Sequence, residues 1–335
     1  SPGDPGKDED LLPTEIRETH RLTLAVGQFE IRRDRGAQER GPGDRNLAEA
    51  PDAMVMVRRD NNVTGTDLYA SQWNGRTWSR PQPILTLNSL ANDRGPSFSH
   101  DGKHIYFTSD RENNTRIYEL NLETQKLRPL WNRKEDVVRL RLSPDGKHLF
   151  FWMAGPKGGL QRLTLADEKL KTIIKLPGTH VRGRGGVEYE WSPDNQWIAY
   201  TTRTDSSSFN IWIVPADGGK PVNVTRLNAF HSDPTWSVDG KYLYFQSDRD
   251  GEGLYRLALK PDAFRISDVD MKFVKPSKPV KVEIDFDGIH RRITKMSSQN
   301  PSSDLIAAAD GRLYFLARGD IYRVSYDGRE TKKIT

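Results

Sequence analysis

Eleven residues in this chain combine a reactive or charged group with a suggestive position. His180, Arg182 and Arg184 lie in the stretch GTHVRGRGGVEYEW, where glycines let the backbone approach a ligand and the cations suit an anion. Arg111, Arg203, Arg249 and Arg318 fall at matching places in a recurring phrase, and Arg58 and Arg59 join them from the first repeat. Guanidinium groups gathered on one rim would grip a peptide carboxylate through paired hydrogen bonds. The structural alternative is that the Asp-Arg pairs cap their own loops or bridge neighbouring units. His231 and Asp233 precede a strand expected near a channel mouth.

Other chemistries lack their residues. The chain has no Cys, which removes disulfides, thiolate metal sites and cysteine catalysis. Its seven His are scattered along the chain, so no metal or cofactor is expected. Asp248, Asp250 and Glu252 echo part of a calcium loop but stop short of its closing Glu, and an ordinary Asp-Gly turn is the simpler reading. Glu283, Asp285 and Asp287 alternate along one side of an expected strand, as a wet face or a surface for a basic partner. No Gly-x-Ser-x-Gly elbow is present, and Gly183-Arg184-Gly185-Gly186 precedes a strand rather than a helix. No catalytic residue is assigned, and enzyme status stays open. The balance of 51 Lys and Arg against 46 Asp and Glu gives +5, mixed in sign along the chain, which argues against a nucleic-acid partner. No apolar run approaches a membrane span.

The elements that position these residues come from repetition. Thr235–Arg249 reads TWSVDGKYLYFQSDR; Ser97–Arg111 reads SFSHDGKHIYFTSDR; Arg141–Gly155 and Glu190–Thr204 are further copies, and Ala307–Gly319 is a worn one. Each reads as strand, Asp-Gly hairpin turn, strand and polar loop, with Asp-Gly permitting the positive φ of a two-residue turn. Runs such as Tyr242-Leu243-Tyr244-Phe245 are apolar on both faces, so both should be covered. Two more strands follow in each unit. The turn aspartates Asp101, Asp145, Asp194 and Asp239 are spaced by 44, 49 and 45 residues, the period of propeller blades.

The expected fold is therefore all-β, a six-bladed β-propeller of four-stranded antiparallel blades, with a seventh blade if the chain continues past Thr335. The repeats fall near 54–84, 95–130, 137–176, 187–227, 232–286 and 289–335 within a propeller domain at 20–335. Residues 1–19 form a flexible arm. Arg21–Ile31 is expected to be a strand of the first blade, 32–50 a long loop, and Ala263–Pro279 a loop excursion. Val280–Phe286 is read as a half-exposed strand and Arg291–Met296 as the opening strand of the last blade.

The phrase S-x-D-G-K-x-[IL]-x-[FY]-x-[ST]-D-R resembles the propeller repeats of TolB and, more closely, those of tricorn-like proteases. The likeness is most specific over Val187–Thr335. It includes Tyr189-Glu190-Trp191-Ser192-Pro193-Asp194, and Val282–Ile289 followed by Arg291-Arg292-Ile293. Residues 1–90 do not clearly match. The resemblance implies a non-catalytic part of a serine peptidase that binds or gates peptides. The catalytic Ser, His and carboxylate would lie in attached domains C-terminal to this chain. It also implies a periplasmic or otherwise extracytoplasmic bacterial setting. Two alternatives stand beside it: a free-standing TolB-like protein-interaction scaffold, and a propeller enzyme such as a polysaccharide lyase.

Overall fold

The computed structural model describes residues 47–334 except 51–52, 59–64, 73–76, 78, 85–86, 132, 177–187, 204–207, 267–272, 302 and 309. Six four-stranded antiparallel sheets follow one another, each built from four consecutive strands. The first holds β1 (Leu47–Ala50), β2 (Ala53–Arg58), β3 (Asp67–Gln72) and β4 (Gln82–Pro83). The second holds β5 (Asp93–Phe98), β6 (His104–Glu112), β7 (Asn114–Asn121) and β8 (Leu127–Trp131). The third holds β9 (Val137–Leu142), β10 (His148–Met153), β11 (Gly159–Thr164) and β12 (Leu170–Lys175). The fourth holds β13 (Tyr189–Trp191), β14 (Trp197–Arg203), β15 (Phe209–Pro215) and β16 (Val222–Asn223). The fifth holds β17 (His231–Trp236), β18 (Tyr242–Ser247), β19 (Gly253–Ala258) and β20 (Ile293–Ser297). The sixth holds β21 (Ser303–Ala307), β22 (Leu313–Ala317), β23 (Asp320–Val324) and β24 (Thr331–Lys333). Opening strands of neighbouring sheets touch: β1 with β5, β5 with β9, β13 with β17, and β17 with β21. This is propeller architecture.

The two-sided strands explain the stacking. In β18, Leu243 and Phe245 join the core shared with the fourth sheet, while Tyr242 and Tyr244 join the core shared with the sixth. A period of two sends alternate side chains to opposite faces, so one apolar run feeds two interfaces. Similar clusters fill the junctions of the first and second, second and third, and third and fourth sheets.

The repeated turn differs from a two-residue hairpin. The Ser99 hydroxyl donates to Asp101 Oδ1 and accepts from the His104 N–H, while the Lys103 N–H donates to Asp101 Oδ1. The Gly102 N–H closes back on the Ser99 carbonyl. Ser143, Ser192 and Ser237 repeat the arrangement with Asp145, Asp194 and Asp239. Only the residue after the aspartate takes positive φ, as at Gly102 (68°) and Asn195 (61°). Asp-Gly thus builds a longer turn latched by serine and aspartate side chains. A hairpin with two positive-φ residues occurs instead at Arg318-Gly319, between β22 and β23.

Three expected elements are corrected. Ile293–Ser297 closes the fifth sheet against β19 rather than opening the sixth, whose first strand is Ser303–Ala307. Val280–Phe286 is not a strand: the Val282 N–H goes to Asp194 Oδ2 (2.7 Å) and the Asp285 N–H to the Leu259 carbonyl (3.0 Å). Its side chains Val280, Val282, Ile284 and Phe286 instead pack on the core between the fourth and fifth sheets. Leu47–Ala50, read as loop, is the first strand of the first sheet. The expected strand at Arg21–Ile31 and the arm at 1–19 lie outside the described residues. A short helix α1 (Pro261–Arg265) and a 3-10 turn (Ile289–Arg291) complete the excursion after β19.

Candidate functional site

The fourth and fifth sheets meet at a rim that gathers several of the candidate residues. Arg203, at the end of β14, lies over the Phe209 ring at 5.7 Å. Phe209 packs edge-on against Phe230, ring centres 5.3 Å apart. The Phe230 N–H donates to Asp248 Oδ1 at 2.8 Å, which ties this corner to the loop after β18. Phe230 and Leu227 are each 38 % exposed, an apolar patch left open beside cations. Asp233 sits at a bulge of β17 with φ 51°, and its N–H donates to Glu188 Oε2 at 3.1 Å.

His231 and Arg249 are best understood against the second sheet. There Asp93 opens β5 opposite Ser109, and its carboxylate, fully buried, receives Arg111 Nη2 at 2.8 Å. Arg111 also donates to the Leu87 carbonyl (2.6 Å) and the Ser109 hydroxyl (2.9 Å), and lies over Tyr118. Arg111 is thus held by internal acceptors, with Asp93 rather than the adjacent Asp110 as its ion-pair partner. In the fifth sheet His231 opens β17 opposite Ser247, the place that Asp93 fills in the second. Arg249 follows Ser247 as Arg111 follows Ser109, and its N–H donates to the Ser247 hydroxyl. The carboxylate that would hold its guanidinium is replaced by an imidazole. One buried Arg249 Nη then has no hydrogen-bond partner among the described residues, and Nε reaches Asp250 at 3.4 Å. His231 is wholly buried against Phe245, and neither ring nitrogen finds a partner among the described residues. Burial, with Arg249 beside it, pushes the imidazole down to about 4.

Arg318 is exposed on the β22–β23 hairpin of the sixth sheet. His180, Arg182, Arg184 and Arg59 lie outside the described residues, and of Arg58 the strand alone is described. The calcium-like loop is occupied by its own chain: Lys295 Nζ donates to the carbonyls of Asp250 and Gly251. Glu283 pairs with Lys260, and Asp285 accepts the Asp287 N–H. Among the described residues no three His, Asp or Glu side chains converge as a metal site requires. Phe209, Leu227 and Phe230 were not singled out in the sequence, because lone apolar residues in loops carry no spacing signal. The Asp93–His231 equivalence was legible: DRGPS at Asp93–Ser97 aligns with HSDPT at His231–Thr235.

No family model matches the chain. It is 28 % identical over 120 residues to a putative tricorn-like protease C-terminal subunit of Sulfurisphaera tokodaii, covering 34 % of this chain and 12 % of that protein. Among solved structures it superposes on the tricorn protease with TM-score 0.56 at 14 % identity, over 89 % of this chain and 32 % of that one. It superposes on TolB of Acinetobacter baumannii with TM-score 0.53 at 16 % identity, over 87 % and 64 %. The chain is a propeller domain similar to those of TolB and tricorn-like proteins. It spans less than two thirds of the length of each of these relatives. No helix among the described residues is long and apolar enough to cross a membrane.

Proposed function

We propose that this domain is a non-catalytic module that binds peptide or protein segments, and gates their passage, in a tricorn-like serine protease. Arg249 is the observation that carries the proposal. Its repeat equivalent is saturated by Asp93, whereas Arg249 keeps an unpartnered buried donor beside exposed Phe230 and Leu227. A peptide ending in an apolar residue offers both missing parts: a carboxylate for the guanidinium and a side chain for the patch. The peptidase domains, and an extracytoplasmic location, belong to the same reading.

The test uses fluorescein-labelled peptides with an apolar last residue, ending in either a free carboxylate or an amide. Anisotropy should favour the free acid by about tenfold, the scale of one charge-assisted contact. His231→Asp supplies Arg249 with the carboxylate that Arg111 has, so it should abolish that preference while raising stability. Equal binding of acid and amide, or a preference untouched by His231→Asp, overturns the proposal. A second reading, a TolB-like scaffold without a peptidase, is favoured by a different match: a TolB homolog of Chlorobium luteolum is 26 % identical over 152 residues, 45 % of this chain and 33 % of that one. Peptidase activity in the intact protein would separate the two.

A further inference from the structure

The outer side of the junction between the third and fourth sheets holds a groove of about 650 Å³, which of the rim residues includes Arg203. Its floor is apolar: Ile173 and Ile174 of β12, with Tyr200 and Trp212 of the fourth sheet. Its borders carry Lys171, Lys175 and Arg203. The one carboxylate there, Asp217, already receives the Arg162 guanidinium. With Lys171 and Lys175 both exposed, the groove border presents positive charge.

Two features say how a ligand would lie. Residues 171–176 line the groove consecutively, so the edge of β12, and not one face, borders it. β12 is the last strand of its sheet, and among the described residues nothing pairs with its outer edge. An open strand edge is a template for an added strand. The Trp212 indole N–H is the second feature. It is buried in the groove wall without an acceptor among the described residues. A buried donor left unpaired is costly, and a ligand oxygen would relieve it.

We propose that this groove binds an extended acidic peptide segment with an apolar side chain at its centre. The backbone would pair with β12, the apolar side chain would rest on Trp212 and Tyr200, and flanking carboxylates would meet Lys171 and Lys175. The volume suits one or two large side chains. Unlike the rim, this site needs no free C-terminus, and it stands independently of the gating role.

The probe is a fluorescein-labelled peptide about ten residues long, with Leu-Phe at its centre, Asp and Glu on both sides, and an amidated end. The wild-type domain should bind it with an affinity that falls as salt rises. Lys171→Glu with Lys175→Glu, both on exposed side chains, should weaken binding at least about tenfold. Trp212→Phe keeps the apolar floor and should weaken it several-fold. N-methylation of alternate peptide nitrogens should abolish it. Phe230→Ala at the rim should leave it unchanged. Absence of binding, or equal affinity of the double charge reversal, overturns the groove. Loss in Phe230→Ala with retention in the charge reversal overturns it in favour of the rim. Thermal melts of every variant confirm that the fold is intact.

Discussion

Arg111→Ala offers the sharpest separation of scaffold from ligand contact. The Asp93 side chain is fully buried, and its Oδ2 accepts the N–H and the hydroxyl of Ser89 at 3.0 and 3.1 Å. Oδ1 takes the Arg111 guanidinium at 2.8 Å. Removing Arg111 strands half of a buried carboxylate and also frees the Leu87 carbonyl. Breaking a buried pair from one side costs about 3–5 kcal/mol. The Arg111 side chain is 18 % exposed, so water can reach the vacated side, and the lower end, about 3 kcal/mol, is expected. Arg111→Lys keeps the charge but loses the fork that serves three acceptors, and should cost about half as much. Urea unfolding followed by circular dichroism gives both numbers. A double-mutant cycle with Asp93→Ala should return a coupling of about 2 kcal/mol or more. If Arg111→Ala changes stability by less than about 0.5 kcal/mol and instead weakens peptide binding, the assignment of Arg111 to the scaffold is wrong.

His231 should make stability pH-dependent in a defined window. The folded imidazole is depressed to about 4 from 6.5, so the unfolded chain binds the extra proton between those values. This contribution is complete above about pH 6.5 and is lost as pH falls toward 4, amounting to about 3 kcal/mol. His231→Leu should remove that slope in denaturant titrations between pH 4 and 7, and an unchanged slope would show that the imidazole does not titrate there. Tyr326→Phe removes a hydroxyl that donates to Asp239 Oδ2 at 2.5 Å across the fifth and sixth sheets. A loss of about 1.5–3 kcal/mol is expected, with faster amide exchange in β22 and β23. Exchange unchanged there would place the bond outside the contacts that hold the two sheets together.

The fold was legible where local and global signals agreed. Tyr242–Phe245 announced a strand covered on two sides, and each face found its own neighbour. Sheet membership was less legible wherever the chain wandered first. Ile293–Ser297 follows a long excursion, so its proximity in sequence to the last repeat outweighed its pairing with β19. Val280–Phe286 alternates like a strand, but its N–H groups are spent on Asp194 and the Leu259 carbonyl. The turn aspartates show the same limit. One oxygen of each latches its own turn, which the repeat reveals. The second oxygen of Asp194 and of Asp239 goes to the Val282 N–H and the Tyr326 hydroxyl respectively, partners that no repeat predicts.

That division also explains why the repeated arginines looked equivalent and are not. A phrase repeated for folding reports first on folding, and Arg111 obeys it by filling itself with internal acceptors. Departures from the phrase are where a side chain is freed from that duty. His231 in the place of Asp93 is such a departure, because the neighbouring arginine keeps its position while losing its carboxylate. A substitution that simply relaxed the scaffold would be expected to remove the arginine as well, since a buried cation without its partner is a cost. Arg249 instead remains, 18 % exposed, at the rim beside the Phe230 patch. A cation retained after its internal partner is gone is what a site built for an external carboxylate requires.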